Sequence, residues 1–216
     1  MGQKVNPVGY RLEIEESPFE WKSRWYAEKE EYQKFALEDH RIREFLEGKL
    51  RYAGLVASRI LRLKNRIKII IQASRPGVVI GRGGSGLKEI KEGLIEIVDV
   101  PDPEKNIEIE VDEVKNAELS AKLVSERIAR GLERGRHYRR TVNKAIDAVK
   151  RAGAEGVRVV LAGRIAGVEV SRVEKFDWGK VPLSTLRANI DYYQEPALTK
   201  SGYVGVKVYI NRGIEE

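Results

Sequence analysis

The sequence predicts an α+β protein of two compact units, each with helices on one face of a sheet, behind an amino-terminal arm. Three observations predict it. Apolar residues recur at helical and at strand spacing, in alternation, from about residue 39 onward. Several strands alternate apolar with polar residues, so each sheet has one buried and one solvent face, unlike a parallel sheet covered on both sides. With 216 residues and 42% hydrophobic content, the chain has material for two small cores. The expected organisation is an arm with a short helix over 1–38, a first unit with a three-stranded sheet over 39–112, and a second over 113–216. The second places two helices on a four-stranded, mostly antiparallel sheet.

The elements follow in order. Asn6-Pro7 and Gly9 mark a turn in the arm. Trp21, Trp25, Tyr26, Tyr32 and Phe35 supply aromatic anchors without an apolar run, the composition of a segment that packs on something else. Ile42, Phe45, Leu46 and Leu50 keep helical spacing, with Asp39 available as N-cap. Residues 60–64 read as a strand, and Ile67, Ile69 and Ile71 as a second; Asn65-Arg66 makes a tight link, so the two form a hairpin. Pro76-Gly77 reads as a turn into a glycine-rich loop at 79–87. Leu87, Ile90, Leu94 and Ile97 form one apolar stripe of a helix, ended by Pro101 and Pro103. Ile107, Ile109 and Val111 alternate with Glu108, Glu110 and Asp112 in a third strand. In the second unit, helices are expected over 117–133 and 138–152, and strands at 157–161, from Val168-Val170, at 186–192 and at 204–210. Gly163, Gly167, Gly179 and Gly202 punctuate them.

Charge narrows the function. The chain has 40 Lys and Arg against 33 Asp and Glu, a net +7 and a pI near 9.5, a balance that suits a polyanionic partner. It is unevenly placed. Residues 48–88 contain ten basic and no acidic residues. Without cysteine, disulfides and thiolate metal sites are excluded. His40 and His137 stand far apart with no ligand spacing, so no metal, cofactor or catalytic residue is expected. The start lacks a signal peptide's apolar segment, and no run reaches the ~18 apolar residues of a membrane span. A cytoplasmic protein without membrane contact is the expectation.

Within the loop, Gly81, Gly83 and Gly86 fit G-x-G-x-x-G, and Glu108 lies where a ribose-binding acid would. The surroundings oppose a dinucleotide site. The strand at 107–111 has an exposed acidic face, and the Pro76-Gly77 turn points to a hairpin rather than a βαβ crossover. The other reading is G-x-x-G, Gly81-Arg82-Gly83-Gly84. Such a loop lets backbone N–H groups and the following helix N-terminus meet phosphates, and Arg82 adds a forked guanidinium. The order helix, strand, strand, GxxG loop, helix, strand resembles the type II KH arrangement, a module that clamps single-stranded nucleic acid.

A second basic cluster, with no acid from Arg134 to Ile146, crowds a helix-turn-helix junction: Arg134, Arg136, Arg139, Arg140 and Lys144. Arg140 and Lys144, at i, i+4, share a face opposite Val142 and Ile146. Arg164, Arg172 and Arg187 extend the positive character into the strands. A G-x-x-x-x-G-K-[ST] phosphate loop and a carboxylate cluster suited to a metal-dependent nuclease are both missing. An RNA-binding protein rather than an enzyme is expected. A free KH regulator or processing factor is the alternative, opposed by the second unit and the arm.

Motifs along the chain carry a resemblance: MGQKVNPVGYRL, SRPGVVIGRGGSGL, ERIARGLERGRHYRR, GRIAGVEVSRVE, VPLSTLRANIDY and GYVGVKVYI, in that order. The chain resembles the bacterial small-subunit ribosomal protein three family, whose members contain a type II KH domain. The resemblance implies a structural constituent of the small ribosomal subunit that binds small-subunit ribosomal RNA in the lower head. It implies ribosomal proteins ten and fourteen as head neighbours, and proteins four and five beside it at the entrance of the messenger RNA tunnel. There the helix matching Arg139 and Arg140 faces incoming messenger. Many members carry a basic residue where this chain has Asn143, beside Lys144, and Gly where it has Glu13. The expected RNA-contacting residues are Arg75, Gly81, Arg82, Gly83, Gly84 and Lys88 at the loop. At the second cluster they are Arg134, Arg136, Arg139, Arg140, Lys144, Arg164 and Arg172.

Overall fold

The structure, a computed structural model, describes residues 4–12, 21–63, 66–99 and 101–213. The chain divides into two units, one spanning Trp21–Lys115 and the other made of the chain from Asn116 onward together with the arm.

In the first unit, α1 (Lys29–Lys49) is followed by β2 (Leu55–Leu63) and β3 (Arg66–Ala73), then α2 (Pro76–Ile80), α3 (Ser85–Ile97), the short α4 (Pro103–Asn106) and β4 (Ile107–Glu113); β1 (Ser23–Arg24) precedes them all. The sheet order is β1-β2-β3-β4. β2 and β3 form the expected antiparallel hairpin; its link at 64–65 lies outside the described residues. β4 lies parallel to β3, pairing Ile67 with Ile107 and Ile71 with Val111. Period-two alternation sends Ile67, Ile69, Ile71 and Ile107 into the core and leaves Glu108, Glu110 and Asp112 exposed. Ile42 and Leu46 of α1 and Ile90 and Leu94 of α3 complete that core.

Four expectations are corrected here. The sheet has four strands rather than three: Ser23 and Arg24 pair parallel with Ile60 and Leu61. Two polar residues give no periodicity to read. Asp39 is not an N-cap but lies mid-helix, because α1 begins ten residues earlier. Its first half is so polar that the apolar stripe starts only at Ile42, while Glu30 and Glu31 favour the helix N-terminus. The expected boundary at 38/39 therefore falls inside a continuous helix. Pro76-Gly77 opens α2 instead of making a turn, with Pro in the first helical turn where its missing N–H costs nothing. The β3-to-β4 connection is consequently a helical crossover between parallel strands.

In the second unit, α5 (Ala121–Glu133) and α6 (Tyr138–Arg151) pack on one face of a sheet ordered β6-β5-β8-β7, every pairing antiparallel. The strands are β5 (Gly156–Gly163), β6 (Arg172–Gly179), β7 (Ile190–Thr199) and β8 (Gly202–Asn211). Val157, Val159 and Leu161 of β5 meet Val204, Val206, Val208 and Ile210 of β8, over Val124, Ile128, Val142 and Val149 of the helices. Two strand positions differ from expectation. Val168 and Val170 are exposed loop residues, and β6 starts at Arg172, burying Phe176 and Trp178 in part. β7 lies at 190–199 rather than 186–192. Leu186 is exposed apolar surface, and Pro196, which reads as a strand breaker, is tolerated because β7 is an edge strand.

The described arm residues belong to this second unit. Asn6 Oδ1 accepts the Val8 N–H, and a 3-10 turn at Gly9–Arg11 follows. Arg11 is 1% exposed. Its guanidinium donates to the carbonyls of Pro7 at 2.8 Å, Leu183 at 3.0 Å and Thr185 at 2.8 Å. Burial pulls its pKa below the usual arginine value, with a smaller opposing effect of Tyr10.

Candidate nucleic-acid interface

The glycine loop joins α2 to α3 in a geometry that needs its glycines. Gly81, at φ 70° and ψ 178°, occupies a region that is essentially glycine-only. A Cβ there would stand 2.7 Å from the Gly86 nitrogen, and one on Gly86 would stand 2.5 Å from the Val79 carbonyl oxygen. These two glycines close the turn. Gly83 and Gly84, at φ 61° and 80°, differ: a Cβ on either would meet nothing. Gly83 is exposed and Gly84 half-buried, its N–H turned to the Gly81 carbonyl at 3.5 Å. The N-terminus of α3 receives no side-chain cap and holds no acid in its first turn. Arg82 stands exposed between the glycines, and Arg75 and Lys88 flank the loop, also exposed. None of the three has an ion-pair partner among the described residues. The loop thus offers uncapped N–H groups, a helix N-terminus and free cations, an arrangement that takes up anions.

Beside the loop, α3 and the edge strand β4 enclose a groove of about 580 Å³. Leu87, Ile107 and Ile109 give it apolar surface, and Lys88, Lys91 and Lys105 give it charge. Glu108 and Glu110 line it too, and Lys68 reaches Glu110 at 2.7 Å. That bond, more than the Coulomb attraction, raises the Lys68 pKa. The acid-free sequence window is therefore not acid-free in space. Lys49 pairs with Glu89 at 2.5 Å, and Arg66 lies 4.0 Å from Glu108. Arg62 is buried as an internal tie, donating to Asp39 and Glu38, each at 2.7 Å. Asp39 also accepts from Ser23 Oγ at 2.7 Å and from the Trp25 indole at 2.9 Å. Lys91 and Lys105 were not singled out from sequence, because groove membership depends on β4 pairing parallel with β3 and so lying beside α3.

The second cluster lies on the other unit. Arg134 ends α5, Gly135 turns the chain at φ 70°, and α6 starts at Tyr138. Arg134, Arg136, Arg140 and Lys144 are all exposed, without a carboxylate partner among the described residues. Arg139 and Arg140 occupy the first turn of α6, where the helix dipole disfavours cations. Each such placement costs about 0.3–1 kcal/mol at an exposed site. Arg164 is exposed on the loop after β5, donating to the Val168 carbonyl at 3.0 Å.

Arg139 and Arg172 are drawn together from α6 and β6. Arg139 Nε and Arg172 Nη2 each donate to the Tyr138 hydroxyl at 3.1 Å. That hydroxyl donates to Glu174 at 3.0 Å, and Glu174 pairs with Arg172 at 2.8 Å. The Tyr138 ring is 7% exposed and stacked by His137 at 5.1 Å. Sequence reading missed Tyr138 and Glu174 as parts of this cluster. The available signal was small: Tyr138 precedes Val142 and Val149 on the inner face of α6, so its hydroxyl must emerge at the helix start.

Among the described residues, no group of three or more His, Asp or Glu is placed to hold a metal ion, and no helix is long and apolar enough to cross a membrane.

Comparison with known proteins joins the two surfaces. A family profile described as "KH domain" matches residues 41–119, spanning the glycine loop and groove, and one described as "Ribosomal protein S3, C-terminal domain" matches 128–210, spanning the arginine cluster. The protein named small ribosomal subunit protein uS3 of Persephonella marina is 45% identical over 213 residues, covering 99% of this chain and 91% of that one. Its namesake from Desulfatibacillum aliphaticivorans is 44% identical, covering 99% and 94%. That from Methylacidiphilum infernorum is 43% identical, covering 98% and 96%. With near-complete coverage at this identity, the chain belongs to the uS3 family of ribosomal proteins.

Proposed function

We propose that the chain is a structural constituent of the small ribosomal subunit in the cytoplasm, not an enzyme, and that it binds RNA through two positive surfaces. Its relatives' names support subunit membership. The α5–α6 junction supports RNA binding most directly. An exposed group of cations without carboxylate partners among the described residues, two of them set against a helix dipole, is unfavourable in the isolated protein. A polyanion removes the penalty. Arg134, Arg136, Arg139, Arg140 and Lys144, with Arg164 and Arg172, carry this surface. Arg75, Gly81, Arg82, Gly83, Gly84 and Lys88 carry the loop surface, where apolar groove walls can receive bases while the loop holds phosphates. The family resemblance supports ribosomal RNA of the lower head as the first ligand and messenger RNA at its entrance tunnel as the second. It also supports ribosomal proteins ten and fourteen, and four and five, as neighbours.

The test is the salt dependence of binding to the isolated head-domain RNA. Replacing Arg139 and Arg140 with Ala is expected to lower the slope of log affinity against log salt by up to about two units, since each phosphate neutralised contributes about 0.7–0.9. A slope that stays at the wild-type value would remove these residues from the interface.

A further inference from the structure

We propose that Tyr138 is a positioning residue whose hydroxyl locks Arg139 and Arg172 side by side as one clamp for a single RNA phosphate. This rests on the proposed RNA binding at the α6 surface and adds the device that organises it. An arginine on an exposed helix turn samples many rotamers, and binding must freeze them. Here the freezing is done in advance. The Tyr138 ring is held inside the unit, edge-on to Phe176 with centroids 6.5 Å apart, so its hydroxyl is a fixed point. One oxygen accepts Arg139 Nε and Arg172 Nη2, each at 3.1 Å. Both guanidiniums also lie against the ring, 5.6 and 5.8 Å from its centroid.

The hydrogen-bond inventory closes around the hydroxyl: two donors in, and its own proton out to Glu174 at 3.0 Å. Charge does not close. Two guanidiniums share one carboxylate, which pairs with Arg172 at 2.8 Å; Arg139 has no carboxylate among the described residues. The node keeps one positive charge in excess and two like charges in proximity. A phosphate supplies what is missing: negative charge, and acceptor oxygens spaced for two forked donors. Phenylalanine would supply the same ring without the fixed point, so the hydroxyl is the atom that matters.

The test uses the full chain and a labelled oligouridine at one moderate salt concentration. Four proteins are compared: wild type, Tyr138→Phe, Arg139→Ala with Arg172→Ala, and the triple variant. Tyr138→Phe is expected to weaken binding about three- to tenfold, the range for one or two side chains left to be ordered on binding. The arginine pair is expected to weaken it further, and the triple variant to match the pair. A triple variant weaker than the pair by the full Tyr138→Phe factor would mean that the hydroxyl acts elsewhere and would overturn the proposal. So would an unchanged Tyr138→Phe beside a weakened arginine pair. An unchanged arginine pair would instead overturn the reading of the surface itself. A second measurement needs no variant. The Arg139 Nε–H is expected to exchange with solvent more slowly than that of Arg140, which has no such bond among the described residues; equal rates in the free protein would also refute the clamp.

Discussion

Arg62 and Arg139 are both arginines in acid-poor stretches of sequence, yet they do opposite things. Arg62 has a side chain 5% exposed beside Asp39 at 2%, and its guanidinium lies 4.5 Å over the Phe35 ring. It ties α1, β2 and the segment carrying Ser23 and Trp25 into one cluster. Arg139 is exposed and holds no carboxylate among the described residues. The difference was not legible, because the acids that neutralise Arg62, Lys68 and Lys49 come from other elements: Asp39 of α1, Glu110 of β4 and Glu89 of α3. The cluster at Arg134–Lys144 was legible because it lies on two consecutive elements and their turn; Arg172 and Glu174 reach it from β6. A buried pair broken on one side leaves an uncompensated charge, which costs about 3–5 kcal/mol. Asp39→Ala leaves Arg62 with Glu38 as its remaining carboxylate and is expected to destabilise the first unit by up to about that amount, and Arg62→Ala with Asp39→Ala by less than the sum of the single changes. Urea unfolding followed by Trp25 fluorescence measures this; additive losses would deny the coupling.

Among the elements, those with a strong apolar period were legible and those set by a few backbone conformations were not. α3, β3, β4, α6 and β8 stand where their alternation puts them. α2 is five residues long, too short for a helical period, and it begins with a proline and a glycine that read equally well as a turn. β1 exists because Asp39 and Arg43 hold Ser23, not because of its own sequence. The glycine loop was legible as a G-x-x-G turn ahead of a helix, but its glycines have separable tasks. Gly86 packs against the α2 backbone, so Gly86→Ala must push Val79 or the start of α3 aside, an overpacking that costs about 1–3 kcal/mol. Gly83 faces open space in a left-handed conformation that Asp tolerates better than most residues. Arg82→Asp with Gly83→Asp is expected to weaken binding of the head-domain RNA while moving the unfolding midpoint less than Gly86→Ala does. Paired denaturation and RNA titrations of the two proteins check this. Wild-type affinity in the double variant would take the loop out of RNA binding.

At the scale of the whole molecule, the chain is not a string of segments in order. The described arm residues belong with the last hundred residues, and Trp21–Lys115, which separates them in sequence, forms the other unit. This organisation was hidden in the sequence because Arg11 reads as a surface cation. Only the fold shows its guanidinium buried among backbone carbonyls, with no carboxylate beside it among the described residues. A buried charge held by carbonyls, with its Nε left unpartnered, depends strongly on those bonds. Arg11→Ala removes the donor and strands the Leu183 and Thr185 carbonyls, and hydrogen bonds to a charged group contribute about 1.5–3 kcal/mol each to such a balance. The expected consequence falls on the second unit. Amides of 181–190 and of β7 and β8 should exchange at least about tenfold faster, a loss of 1.4 kcal/mol or more, while those of Ile67, Ile69 and Ile71 in β3 keep their rates. Hydrogen exchange resolved by residue distinguishes this from a general loss of stability, which would accelerate β3 as well. Equal protection of β7 and β8 in both proteins would show that the arm contributes nothing to the second unit's fold.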